Sequence, residues 1–177
     1  NYMKLFKFPF SRVSDDSVLL LYTNIVSQAR VESFYKIYGV PDTVNGRFDL
    51  ITLHMFIVLR RLKEFGVDGV KLSQDLFDIM FSDMDKNMRE MGVGDLSVGK
   101  KVKLLAKAFY GRIKAYDSGI ADLNDATLAL CLKRNLFSEV EPKEEHVKTV
   151  TNYVKREIAA SKNWSLVDIA TNNISFG

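Results

Sequence analysis

Within 177 residues there is one cysteine, Cys131, and there are two histidines, His54 and His146. No disulfide can close inside such a chain, and no cysteine and histidine cluster is present to build a closed zinc site or to argue for haem ligation. No cofactor is expected. Cys131 stands in the apolar run from Thr127 to Leu132, which marks it as a buried, inert thiol. Long hydrophobic runs are also missing. Val18 to Tyr22 and Met55 to Leu59 are soon cut by polar residues, well short of the roughly 20 apolar residues that cross a bilayer as a helix. Excess charge is lacking too: the formal net charge of +3 is mild and demands no nucleic-acid partner. Internal repeats, low-complexity tracts, interdomain linkers and convincing strands are absent.

What remains is 47% hydrophobic and 27% charged, the balance of a globular domain. Helical spacing dominates it. Asp15 or Asp16 caps a predicted helix whose inward positions run from Val18 through Ile25 and Phe34 to Ile37, ended by Gly39 and Pro41. A second begins near Phe48 and stops at Gly66. From Leu72 to Met91 apolar residues, many of them methionine, make a wide face opposite Asp78, Asp85, Lys86 and Arg89. Val98, Val102, Leu105, Phe109, Ile113 and Tyr116 start another stripe near Ser97, after a predicted loop from Met91 to Gly99. Further helices are expected from Ala126 to Lys133 and from a first turn at Pro142, with a short final element near Trp164. The expectation is all-α: one compact domain of about six or seven helices over residues 15–177, in irregular orthogonal or bundle packing. Residues 1–14 read as a loosely ordered tail, with the native start upstream of Asn1 or at Met3.

One place goes against helix rules. Lys100, Lys101 and Lys103 crowd the start of a helix, where cations oppose the macrodipole at roughly 0.3–1 kcal/mol each. Gly94, Gly99 and Lys100 have the spacing of a phosphate-binding loop, but Lys101 stands where Ser or Thr must hold magnesium, and a helix precedes the segment instead of a buried strand. A basic, glycine-rich corner between two helices is the better description.

The runs Phe81 to Asp85, Arg89 to Asp95, Val98-Gly99-Lys100 and Phe109-Tyr110-Gly111-Arg112 with Tyr116 resemble the central signature of the ubiquinol-cytochrome c chaperone family. Upstream, Ala29-Arg30, Phe34-Tyr35, Gly39 to Thr43, Gly46 to Asp49 and His54 are similar to its N-terminal signature, in the same order. The resemblance spans about Leu20 to Tyr116, and several motifs in one order are more specific than any single one. It implies a helical, non-enzymatic assembly factor for the ubiquinol-cytochrome c reductase complex, with cytochrome b or its nascent chain as partner and a small partner assembly factor as a further one. It also implies work on the cytoplasmic or matrix side, peripheral to the inner membrane.

The residues themselves nominate sites. Met84, Met88 and Met91 can offer adaptable apolar surface to a partner or simply fill core. Asp95, Lys100, Lys101, Lys103, Tyr110 and Arg112 surround the basic corner, and Arg47 has no evident local role, so all are candidate partner contacts. Asp42 and Asp49 suit hydrogen bonds to local backbone amides. Asp83 falls inside an apolar arc, where a carboxylate needs a donor; Arg112 and His54 are the expected members of a buried polar set with it. His54 reads as a hydrogen-bonded, partly buried side chain. Gly111, inside a helix, suggests close approach of another backbone. Two other function classes stay open: an all-helical enzyme acting on a prenylated or phosphorylated substrate, and a helical nucleic-acid binder. Against the first, Asp83 and Asp85 point to different helix faces; against the second, no basic recognition helix is apparent.

Overall fold

A computed structural model describes residues 15–177. The expected tail over 1–14 lies outside the described residues. Those described form α1 (Asp15–Ala29), α2 (Ser33–Lys36), α3 (Val44–Leu62), a 3-10 turn (Lys63–Phe65), α4 (Gly66–Glu90), α5 (Asp95–Ala121), α6 (Asp125–Leu136), α7 (Glu144–Ser161) and α8 (Leu166–Ala170). Six are long and two short, with no strand among the described residues, so the all-α expectation holds.

The third helix is the axis of the molecule. Leu50, Leu53, Met55, Phe56, Ile57, Val58 and Leu62 are buried on every side of it, the pattern of a helix enclosed by its neighbours. Those neighbours are α1, α4, α5, α6 and α7. It starts at Val44, four residues before the expected Phe48, because Thr43 caps it: Thr43 Oγ1 accepts from the Gly46 amide at 3.0 Å. Gly46 is required there, since a Cβ would sit 1.9 Å from the Pro41 carbonyl oxygen.

Three boundaries differ from the sequence expectation. The first helix ends at Ala29 and does not continue to Ile37; the chain turns there, and the Tyr35 hydroxyl donates to the freed Ala29 carbonyl at 2.8 Å. Between α4 and α5 the loop is only Met91 to Gly94. Gly92 (φ 83°) ends α4, with Val93 N–H reaching Met88 O and Gly92 N–H reaching Arg89 O, a Schellman closure. Asp95 to Gly99 are therefore helical. Pro142 lies just outside α7, whose first turn carries Glu144 and Glu145.

Gly111 does not mark a helix crossing: nothing lies within 4 Å of where its Cβ would be. The close approach is at Gly119, whose Cβ would meet the Leu128 Cα at 2.9 Å where α6 packs on α5. Past α7, Trp164, Ile169 and Ile174 return to the core, and Arg61 Nε donates to the Trp164 carbonyl at 2.9 Å.

Candidate functional site

Where the start of α3, the end of α4 and the first half of α5 meet, they leave a groove of about 570 Å³. Val44, Phe48, Met88, Met91, Val93, Leu104, Leu105 and Ala108 supply its apolar wall; Lys101, Asn45 and Ser138 stand in the lining, and Asp49 with Arg112 completes it. Helical spacing explains the membership. Lys101, Leu104, Leu105, Ala108 and Arg112 share one side of α5, while Val98, Phe109 and Tyr116 turn inward to the core.

Two of the groove's walls are adaptable. Met91 and Leu104 are about two-thirds exposed, so little packing restricts their side chains. The methionine face of α4 divides along its length. Met80 is fully buried, Met84 packs half-buried against the core, Met88 lines the groove, and Met91 stands at its mouth.

The polar floor is unusual. Arg112 Nε lies 2.8 Å from Asp49 Oδ1, yet both atoms are buried without an aligned hydrogen bond, so the pair is an ion contact with unused donor and acceptor capacity. Burial pushes the Asp49 carboxyl up to about 6, against the opposing pull of Arg112. The Tyr116 hydroxyl and Asn135 Nδ2 nearby are also buried and face each other without an aligned hydrogen bond. Leaving such groups under-bonded costs stability. Arg112 packs its guanidinium 5.7 Å from the Phe48 ring, which joins floor to wall.

The expected Asp83, His54 and Arg112 set does not form. Tyr22 of α1 supplies the donor to Asp83, at 2.8 Å from Oδ2. Arg112 is committed to Asp49, which lies on the α3 face directly across from it, and so Asp49 does not cap local amides as expected. His54 is completely buried: Nδ1 is 2.8 Å from the Leu50 carbonyl and Nε2 is 2.8 Å from the Tyr153 hydroxyl. A carbonyl only accepts, so Nδ1 carries the proton and Nε2 accepts from Tyr153, which in turn accepts from Gln28. Burial holds its pKa down at about 4. It is a core residue.

Arg47 pairs with Asp42 on the surface, 2.8 Å apart, in a separate polar depression with Arg30, Tyr35 and Lys36. Asp95 pairs with Arg89, which also holds Asp85 and so ties the two ends of the interhelical turn. Lys100, Lys103 and Tyr110 stand outside the groove, with Tyr110 stacked on Phe77 at 5.2 Å between centroids. Thus Met88, Met91, Lys101 and Arg112 come together, and Arg47, Met84, Asp95, Lys100, Lys103 and Tyr110 do not join them. Leu104 and Val44, missed in the sequence reading, carried one signal: each is apolar yet lies off its helix's core stripe. Cys131 is half-buried, not enclosed, and lines a larger open depression on α6 with Leu130, Phe137 and Val140.

No cluster of three or more metal-ligating side chains occurs among the described residues. Nor is any described helix long and apolar enough to cross a membrane. The described residues thus form an all-α body with a half-open, methionine-bearing groove and a charged floor. The chain belongs to the ubiquinol-cytochrome C chaperone family, which residues 36–176 match. It is 30% identical over 142 residues, 80% of its length, to the Homo sapiens ubiquinol-cytochrome c reductase complex assembly factor 1, and 26% identical to the Xenopus laevis protein of that name. It spans about half the length of the human relative (47%) and 70% of the Xenopus one. The crystal structure of the Cbp3 homolog from Brucella abortus superposes with a TM-score of 0.82 at 34% identity, covering 94% of this chain and 92% of that one.

Proposed function

We propose that the protein is a non-enzymatic assembly factor for the ubiquinol-cytochrome c reductase complex, working peripheral to the inner membrane, and that it holds cytochrome b in the α3–α4–α5 groove during biogenesis. The relatives' names support the complex. The single observation that carries the binding reading is the convergence of Met88, Met91, Leu104 and Phe48 with Lys101 and Arg112 in one open groove. A membrane subunit awaiting assembly exposes apolar helix and polar connections together, and a groove with flexible apolar walls and cationic groups meets both. Binding energy there comes from adaptable contact area, and the charges set orientation more than affinity.

Met91→Asp/Leu104→Asp tests this. Both side chains are largely exposed, so the substitutions leave the core intact. Recovery of cytochrome b by the purified protein from membranes solubilised in mild detergent is expected to fall at least about tenfold, the consequence of losing two apolar contacts and adding desolvated charge. Equal recovery by the variant overturns the groove as the docking place. No recovery by the wild type, from membranes in which the subunit is detected, overturns the client.

A further inference from the structure

The fifth helix has a third face. At about 100° per residue, Leu96, Lys100, Lys103, Lys107, Tyr110 and Lys114 align on its solvent side, a stripe roughly 27 Å long. All six are exposed, Leu96 to 92%. Among the described residues, none of the four lysines takes part in an ion pair or a hydrogen bond. Elsewhere the described lysines divide: Lys36, Lys63, Lys86, Lys133 and Lys155 each face a carboxylate, whereas Lys71, Lys101, Lys143, Lys148 and Lys162 do not, so what sets the stripe apart is four such lysines in one row on one helix face. The acids of α5 are engaged away from the stripe, Asp95 with Arg89 and Asp117 with Arg60 and Lys63. Lys100 and Lys103 stand in the second and third turns of α5, past the first turn, where Asp95 meets the helix dipole.

We propose that α5 rests on an anionic phospholipid surface, with Lys100, Lys103, Lys107 and Lys114 against the headgroups and Leu96 reaching between them. A row of unneutralised lysines with an exposed leucine at one end and a tyrosine within it is the composition of an interfacial helix, and anionic lipid supplies the missing counter-charge. Duplex or single-stranded nucleic acid fits less well. Leu96 would have nothing apolar to meet, and the only aromatic in the stripe, Tyr110, is already stacked on Phe77. The groove residues of α5 lie about a third of a turn from the stripe, so a protein seated this way opens its groove sideways along the bilayer. This deepens the peripheral location proposed above and does not depend on the cytochrome b reading.

Flotation of the purified protein with phosphatidylcholine vesicles, with and without phosphatidylglycerol, is the test. Binding is expected only to the anionic vesicles and is expected to weaken with added salt. Lys103→Glu/Lys107→Glu/Lys114→Glu should lower the partition constant about a hundredfold or more, and the neutral Lys→Gln triple at the same positions about tenfold or more. Leu96→Ser should lower it several-fold. The charge-reversed protein should still recover cytochrome b from detergent, because none of its substitutions touches the groove, so the two readings fail separately. Circular dichroism of each variant confirms that it is folded, and the Lys→Gln triple carries the test if the charge-reversed one is not. Flotation of the folded triple variants equal to wild type overturns the proposal. So does equal binding to neutral vesicles, or tighter binding of an oligonucleotide than of anionic vesicles through the same lysines.

Discussion

Asp49→Asn removes one of two buried titrating groups that α3 carries, and the two work against each other. Burial raises the Asp49 carboxyl from an ordinary 3.8 to about 6, and lowers His54 from 6.5 to about 4. Between pH 6 and pH 4 the folded chain holds a proton on Asp49 that the unfolded chain has released. Over the same range the unfolded chain holds a proton on His54 that the folded chain has released. Acidification therefore stabilises the fold through Asp49 and destabilises it through His54, each by about 1.4 kcal/mol per pH unit. Across their full windows each contribution comes to about 3 kcal/mol, and the two nearly cancel. Without the carboxyl only the histidine effect remains. Relative to wild type, Asp49→Asn should lose about 2 kcal/mol of stability between pH 6 and pH 4.5, and His54→Asn should gain about 2 kcal/mol over the same interval. Urea unfolding followed by circular dichroism at half-unit steps of pH measures both. Glu157, also raised by burial, titrates in all three proteins and drops out of the differences. Constant offsets from lost contacts drop out as well, since only the slope with pH is read. A difference between Asp49→Asn and wild type that does not change with pH refutes the reasoning, because it means that Arg112 fully compensates the buried carboxylate.

Two glycines of one helix should respond with opposite sign. Gly111→Ala should raise stability by about 0.5–1 kcal/mol, as its Cβ enters open space inside a helix, whereas Gly119→Ala should lower it by about 1–3 kcal/mol through collision with the Leu128 backbone; thermal melting distinguishes them. Tyr22→Phe should cost about 1–2 kcal/mol by leaving the half-buried Asp83 without its donor. A double-mutant cycle should show coupling between Tyr22 and Asp83 and none between Arg112 and Asp83.

How far the sequence could be read follows from the range of the forces involved. Helix existence is a local matter: the apolar stripes of α4, α5 and α7 and the cap at Asn124 are visible in the order of residues, so the helical class was within reach. The split between α1 and α2 was not, because it depends on the Tyr35 hydroxyl finding the Ala29 carbonyl. Partners of charged residues are the least local quantity. Arg112 has acids at many sequence distances, and only the packing of α5 on α3 selects Asp49, 63 positions away, over Asp83 and Asp85. The same limit applies to the groove. Its lysines were legible as residues off the core stripe and its methionines as either surface or core, while its third wall, from Val44 to Asp49, belongs to a helix start that is polar and turn-rich in composition.

Several departures from what stability alone would choose lie on α5 or on the turn that enters it: a buried ion contact to α3 without aligned hydrogen bonds, a methionine and a leucine left open to solvent, and a glycine inside a helix where nothing approaches. They are not confined to it: Val67 and Val70 of α4, Leu130 of α6 and Leu123 are also exposed, and the Thr52 hydroxyl of α3 is buried without a partner, so α5 is set apart by its row of lysines and its share of the groove. Under the two proposals the groove and the lysine stripe, a little over a third of a turn apart on α5, place client contact and membrane contact on the same helix without sharing a residue, so that both can be occupied at once.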